Sequence, residues 1–449
     1  MKKQLLFLVA AVMLSWSATA QMVLQFDTEK SDGTTVTLPL YGTVNVTVDW
    51  GDGQSDTYTA AALYDHTYAV EGSYTVEISG NITQFGNGYT LTPNIDMLVA
   101  VTSFGDIGLT SLHGAFFSAK NLIQVPDDLP ATVTTLEAMF YGCKSFNHDI
   151  GSWDVSEVTI MSQMFRGASS FNQNIGNWNV SKVEKMTFMF LEASLFNQDI
   201  GLWDVSNVTN MNSMFRATAF NQNIGNWNVS KVTTLSGMFL EVSAFNQNIG
   251  NWNVSNVTNM SSMFYKATSF NQNIGGWDVS KVTNMGSMFS GATAFNQNIG
   301  LWNVGNVTSM SDMFRYVTLS TANYDSLLIG WSAQTVQNGV VFSGGNSKYS
   351  LGAAAAARAV LTGATNGWTI TDGGEEPTSA ITNVTLIDGV YTQAGKIVVE
   401  NDQNLPISIY DVTGRLVTSG SSIVNEFTVP NAGVYIVTVG TQTMKVVVP

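Results

Sequence analysis

One pattern recurs through the middle of this 449-residue chain and limits how it can fold. A Met-Phe pair returns at a fixed interval, and its phenylalanines are Phe140, Phe165, Phe190, Phe215, Phe239, Phe264, Phe289 and Phe314. The copies are 25 residues apart, except for one interval of 24 that ends at Phe239. A unit this short cannot fold alone, because ordering its backbone costs about 1–2 kcal/mol per residue. Neighbouring copies must therefore stack on each other.

The residue types within a copy predict one short helix and one short strand. Met260, Met263 and Phe264 have the spacing of a buried helical face. Trp277 and Val279 flank a polar residue, as alternate side chains do in a strand. We therefore expect a leucine-rich-repeat-like solenoid with one short strand and one short helix per 25-residue coil. Two small β-sandwich domains are expected to flank it.

The start of the chain has the pattern of an export signal. Lys2 and Lys3 precede an apolar run over residues 5–14, and small residues follow it up to Ala20. This pattern predicts a signal peptide over residues 1–20, with cleavage between Ala20 and Gln21. No later stretch approaches the 18 or more apolar residues of a membrane span, so we expect no transmembrane segment in the mature protein.

Strand-like alternation and polar breaks divide the rest of the chain. The predicted parts are a β-sandwich over 21–85, the repeat solenoid over 86–372, a linker over 373–380 and a second β-sandwich over 381–449. The solenoid includes a divergent leading coil and a C-terminal cap, because the end repeats of an array must be atypical to remain soluble.

The net charge and the catalytic residue types exclude several functions. The formal charge of −15 would repel a phosphate backbone, so nucleic acid is not an expected partner. The three histidines lie apart from one another without metal-ligand spacing, and no catalytic motif is present. We expect no enzyme, no cofactor and no metal. Asp49 and Asp52 are candidate calcium ligands, although their Gly-Asp-Gly sequence is also adequate as a hairpin turn.

Three features of the repeat allow both a structural and a functional interpretation. The recurring Trp is either core or a stacking platform for sugars, and core is favoured. The recurring Asn, as in Asn246, is either a ligand ladder or a group that bonds turn backbone from coil to coil, and the second is favoured. Cys143 takes the place of Ala168 in the next copy, which favours a small buried side chain over a nucleophile.

Two series of variable positions are candidate contact rows. The Met-Phe row, directly after each Met-Phe pair, comprises Arg166, Leu191, Arg216, Leu240, Tyr265, Ser290 and Arg315. The Val-Ser row, after each Val-Ser or Val-Gly, comprises Glu157, Lys182, Asn207, Lys231, Asn256, Lys281 and Asn306. The strongest binding candidates are the charged and aromatic members: Glu157, Lys182, Lys231, Lys281, Arg166, Arg216, Tyr265 and Arg315.

Three segments resemble known families. The repeat Phe-Asn-Gln-Asn-Ile-Gly-x-Trp-Asn-Val-Ser, over about residues 110–372, resembles BspA-like leucine-rich-repeat surface proteins of bacteria. Residues 49–53, with His66-Thr67-Tyr68, resemble a PKD-type domain. Residues 409–417 and 433–437 resemble the C-terminal sorting domain of Bacteroidetes type IX secretion. The last resemblance implies recognition by the type IX machinery.

Together these features predict a secreted protein on the outer surface of a Gram-negative bacterium. Its expected function is binding or adhesion, with the solenoid facing a host or matrix protein, a glycan or another cell. The alternative is a structural component that associates with itself in a surface layer, which the monotony of the repeats also fits.

Overall fold

A computed structural model describes residues 21–376 and 389–448, apart from residues 402, 422, 423 and 441. The chain separates into two compact units, Met1–Glu376 and Pro377–Pro449. Among the described residues no helix is long and apolar enough to cross a membrane.

The first unit opens with an antiparallel sheet. Its strands are β1 (Met22–Asp27), β2 (Thr35–Asp49), β3 (Ser55–Tyr58), β4 (Ala62–Thr67), β5 (Ser73–Phe85) and β6 (Leu98–Ser103). Their order is β3-β2-β5-β1-β6, and β4 also pairs with β2. Val44, Val46 and Val48 alternate inward along β2, while the residues between them are exposed. Strand β6 also belongs to this sheet, so the sheet extends beyond residue 85, where the predicted first domain ends.

The repeats contain neither of the two expected elements, so the prediction of one helix and one strand per coil is wrong. The described residues hold two α-helices, α1 (Thr321–Ser332) and α2 (Ala353–Thr362), and both follow the last repeat. Each copy is a series of tight turns, and neighbouring copies meet through single parallel bridges. The bridged residues, in order, are Ser111, Thr135, Ile160, Lys185, Asn210, Thr234, Asn259, Asn284 and Ser309.

The predicted helix does not form, because each copy places two residues with left-handed backbone conformation four positions apart. In one copy these are Ser262 and Lys266, each with a φ of 55°. The first position holds Ala138, Gln163, Phe188, Ser213, Gly237, Ser262, Ser287 and Asp312. The second holds Gly142, Gly167, Glu192, Ala217, Glu241, Lys266, Gly291 and Tyr316. A right-handed helix cannot continue through such residues, so the helix-like spacing of Met260 and Phe264 comes from successive turns.

Alternate amides of these turns bond in different directions. The amide of Met164 donates to the Met161 carbonyl within its own turn, at 3.2 Å. The amides of Gln163 and Phe165 instead donate to carbonyls of the next copy, at Thr187 and Met189, both at 2.9 Å. This alternation satisfies the backbone within a copy and between copies at the same time, as buried backbone requires.

The tryptophans lie in the core rather than in a strand. Trp277 is 4% exposed, and its indole nitrogen donates to the Ile249 carbonyl one copy earlier, at 3.2 Å. The prediction that this column is core is confirmed, whereas the strand predicted around it is absent. The phenylalanines stack beside it: the Phe264 ring centroid is 5.5 Å from that of Phe289 and 3.9 Å from that of Phe270.

A different structure closes the end of the repeats. β7 (Val341–Ser343) pairs in parallel with β8 (Thr369–Thr371), and Phe342 bridges to Met310 of the last copy. The Asp372 side chain, which is 3% exposed, accepts hydrogen bonds from Arg358 and from the Tyr324 hydroxyl, both at 2.8 Å. Glu375, within the predicted linker, bridges to Tyr349 and so packs on this cap.

The second unit is also built of antiparallel sheets. Its strands are β9 (Val390–Gln393), β10 (Lys396–Glu400), β11 (Ile407–Asp411), β12 (Leu416–Gly420), β13 (Val424–Thr428), β14 (Gly433–Val439) and β15 (Gln442–Val448). One sheet has the order β13-β10-β9 and the other β12-β11-β14-β15. Ile397, Ile409 and Val437 contribute to the core of this unit.

Because the aromatic columns are shared between copies, Trp252→Ala or Phe264→Ala should lower the free energy of unfolding by about 3–5 kcal/mol. The exposed Lys281→Ala is the control and should change it by about 0.5 kcal/mol or less. Denaturant unfolding followed by circular dichroism measures both. Equal shifts for the two classes of variant would contradict the assignment of the buried columns.

Candidate functional site

The Val-Ser row is exposed along its whole length, and its members bond to one another. The Lys182 ammonium lies 2.7 Å from the Glu157 carboxylate. Lys231 and Lys281 each donate to an Asn side chain of the preceding copy, Asn207 and Asn256, at 2.7 Å. The row is therefore an ordered line of side chains in which Lys182 is neutralised, while Lys231 and Lys281 are held by uncharged amides.

The Met-Phe row is less accessible than predicted. Leu191 and Ser290 are each 3% exposed, so these two cannot be contact residues. Tyr265 is half-buried, and Lys266 lies 5.2 Å from its ring. Arg315 is exposed and lies 4.8 Å above the Tyr316 ring.

Two arginines of this row have different surroundings. The buried Nε of Arg216 has no hydrogen-bond partner among the described residues. Arg166 instead lines a groove of about 410 Å³. The lining residues are Leu91, Asp96, Ser118, Lys120, Tyr141, Gly142, Lys144, Arg166, Gly167 and Glu192. The groove is therefore the place where a predicted contact residue lies with other charged side chains in a concave surface.

Aromatic rings hold Arg166 in position at the groove. Its guanidinium carbon lies 5.0 Å from the Tyr141 ring centroid and 5.6 Å from that of Phe188. One of its nitrogens donates to Gln163 Oε1 at 2.9 Å. Tyr141 in turn stacks on Phe117, with centroids 4.3 Å apart. Because a guanidinium has five N–H donors, Arg166 retains others for a ligand.

The charges around the groove are of both signs. Lys120 forms an ion pair with Asp96 at 2.5 Å. Arg166 and Lys144 have no carboxylate within ion-pair distance among the described residues. Glu192 lines the groove from the next copy. Three cations and two carboxylates therefore share this surface, and one of the carboxylates, Asp96, is paired with Lys120.

Of the groove residues, Arg166 is the one predicted from the sequence as a contact residue. Lys120 and Lys144 lie four residues after Phe116 and Phe140, where later copies carry Ser169, Ser194 or Thr268. That departure from the repeat was the signal that could have found them. Glycine at both Gly142 and Gly167 was the second signal.

Asp49 and Asp52 form a turn of the sheet. Asp49 Oδ1 accepts the Gly51 amide at 2.9 Å, and Asp52 Oδ1 accepts the Gln54 amide at 3.0 Å. Asp52 Oδ2 lies 2.9 Å from His66 Nε2. Among the described residues no group of three or more His, Cys, Asp or Glu side chains could hold a metal ion. Both carboxylates make hydrogen bonds within the turn, as the hairpin-turn interpretation predicts.

The recurring asparagines bond copy to copy. Asn246 Oδ1 accepts the Asn271 amide at 3.0 Å and Gln272 Nε2 at 2.9 Å. The prediction that this column bonds turn backbone is confirmed, and its oxygens are used within the protein. Asp278 caps another turn by accepting the Ser280 amide, and hydrogen bonds from the Ser280 side chain and amide lower its pKa.

The two processing residues lie at the edge of what the structure describes. Ala20, with the predicted signal peptide, lies outside the described residues. Gln21 is described, and its carbonyl accepts the Ser103 hydroxyl at 2.8 Å.

The repeats of this chain match a known protein family. Residues 110–224 and 214–327 match a family described as "Mycoplasma protein of unknown function, DUF285". The two matches overlap and together span just under half of the chain. This is a BspA-like repeat family, so the resemblance predicted for the repeats is confirmed at that level. No curated protein and no solved structure matches the chain.

Cys143 is fully buried, and its thiol donates to the Phe116 carbonyl at 3.0 Å. Burial raises the pKa of this thiol far above its usual value. We expect the folded protein to react with a thiol reagent at least about a thousandfold more slowly than the unfolded protein, because reaction requires opening of the core. A chromogenic thiol assay with and without denaturant measures this ratio, and comparable rates would contradict a structural role for Cys143.

Proposed function

We propose that this protein is a cell-surface binding or adhesion protein. It uses the exposed side of its stacked repeats to contact a host or matrix protein, a glycan or another cell. The proposal is of a binding protein and not of an enzyme, with no cofactor.

The supporting observation is that the repeats separate fixed residues from varying ones. The tryptophans, phenylalanines and asparagines recur at fixed intervals and are used in packing or in bonds between copies. The backbone amides of the turns bond within the stack. Side chains of the exposed positions are then the groups left to recognise a partner, as on other repeat proteins.

We further propose the localisation and processing that the sequence resemblances imply. Residues 21–85 would be a PKD-like domain, and residues 381–449 a type IX sorting domain that directs the protein to the outer surface of a Gram-negative bacterium. Strands β11 and β14 carry the segments on which the sorting resemblance rests.

Charge reversal on the repeats tests the binding function. The triple variant Lys182→Glu, Lys231→Glu, Lys281→Glu and the single variant Arg166→Glu should each weaken adhesion of the full-length protein. We expect a loss of about tenfold, because a charge-assisted hydrogen bond contributes about 1.5–3 kcal/mol. Attachment to immobilised matrix proteins, glycans and whole cells is the measurement.

Lys445→Glu, in the second unit, is the matched control and should leave adhesion unchanged. If neither repeat variant altered attachment, these residues would not form the contact surface. If the unmodified protein attached to none of these targets, the function itself would be wrong. Ordered self-association of the protein would instead support the surface-layer alternative.

Deletion of residues 381–449 tests the sorting role. Because the first unit has its own core, the repeats should remain folded while the protein accumulates in the periplasm. Mass spectrometry of the surface-localised wild-type protein is the second measurement. Stoichiometric peptides from residues 434–449 on that mature protein would contradict removal of the segment.

A further inference from the structure

The groove beside Arg166 exists because two successive copies have glycine at the second left-handed position. Gly142 and Gly167 have φ values of 70° and 71°. The next copies place Glu192, Ala217 and Glu241 in the same conformation. A Cβ on Gly167 would lie 3.6 Å from Gly142 Cα, so there is room for a side chain there. The two glycines thus leave the bottom of the groove open, where a larger residue would place its side chain.

We propose that this groove binds a sugar residue carrying one carboxylate, such as a uronic acid of a glycan. Arg166 and Lys144 would hold the carboxylate, and Asp96 and Glu192 would accept hydroxyl hydrogens. This assigns a ligand class to the surface proposed above for binding, and so rests on that function.

The two cations, Arg166 and Lys144, are the reason for proposing a ligand that carries a carboxylate. Arg166 keeps several N–H groups after its bond to Gln163, and its planar guanidinium matches the two oxygens of a carboxylate. The Tyr141 and Phe188 rings fix the orientation of the guanidinium before a ligand arrives. Such preorganisation reduces the entropy lost on binding. Lys144 adds a second positive charge without an ion-pair partner among the described residues.

The two carboxylates of the groove favour a ligand with hydroxyl groups and disfavour one with several negative charges. Asp96 and Glu192 line the same groove as the cations. They accept hydrogen bonds from neutral hydroxyls but repel a second anionic group. A heavily sulfated polymer is therefore disfavoured relative to a residue with a single carboxylate. The volume of about 410 Å³ is within the usual range of small-ligand sites.

The backbone favours a sugar over an extended acidic peptide. The amides of Gly142 and Gly167 donate to carbonyls of the next copy, both at 2.7 Å. The amides of Tyr141 and Arg166 close turns within their own copies. A peptide could not add main-chain hydrogen bonds to these amides, which is the usual basis of strand addition. At these four residues, recognition of a ligand is therefore left to side chains.

The test compares oligosaccharides of glucuronate or galacturonate with their carboxyl methyl esters and with neutral glucose or galactose counterparts. The full-length protein should bind the free acids at least about tenfold more tightly than the esters. Gly167→Glu should reduce this binding by about tenfold or more, because it fills the groove and adds a negative charge. Gly291→Glu is the matched control, since Gly291 is left-handed at the same repeat position but outside the groove.

Lys144→Gln provides a second variant whose exposed position does not burden folding, with the exposed Lys185→Gln as its control. Lys144→Gln should weaken binding of the free acids and Lys185→Gln should not. Equal affinity for acid and ester, or equal effects of each variant and its control, would overturn the proposal. Binding confined to acidic peptides or matrix proteins would also overturn it, while leaving the adhesion function intact.

Discussion

The alternation of backbone hydrogen bonds in the repeats is the interaction on which the rest of the structure depends. Two left-handed residues per copy turn every second amide outward to the neighbouring copy, as for Gln163 and Phe165. The same turns direct Met164 and Phe165 into the core. A single geometric device therefore stacks the copies, buries their apolar side chains and satisfies their backbone.

The left-handed turns explain which parts of the fold could be predicted from sequence. The spacing of Phe264 and Trp277 correctly identified buried columns. Burial depends on which side of the repeat a residue faces, and the same side recurs with the 25-residue period. The local conformation could not be predicted in the same way. A helix and a series of turns both bring residues i, i+3 and i+4 to one side. Ser262 and Lys266 give no composition signal for φ values of 55°, since left-handed residues are usually glycine or asparagine.

The candidate site was predictable in part for a related reason. Arg166 was found because it varies where the repeat is otherwise regular. Whether such a position is accessible differs from copy to copy: Leu191 and Ser290 are buried, whereas Arg315 in the same row is exposed. The groove also needs Asp96 and Leu91, which precede the regular repeats and carry no periodic signal. Its composition therefore required the three-dimensional structure.

The copy that is one residue short shows how the stack tolerates change. In a regular copy the Phe171 amide closes its turn on the Ala168 carbonyl at 3.0 Å. In the short copy the Phe220 amide donates to the Thr218 hydroxyl at 3.3 Å, and that buried hydroxyl donates to the Phe215 carbonyl at 2.7 Å. A side chain thus replaces the missing backbone group. The Phe215 and Phe220 rings remain 4.0 Å apart, as in the regular copies, because the change is confined to the turn between them. Variation in the turns is therefore compatible with an unchanged core, which is the condition for one scaffold to carry different surface residues.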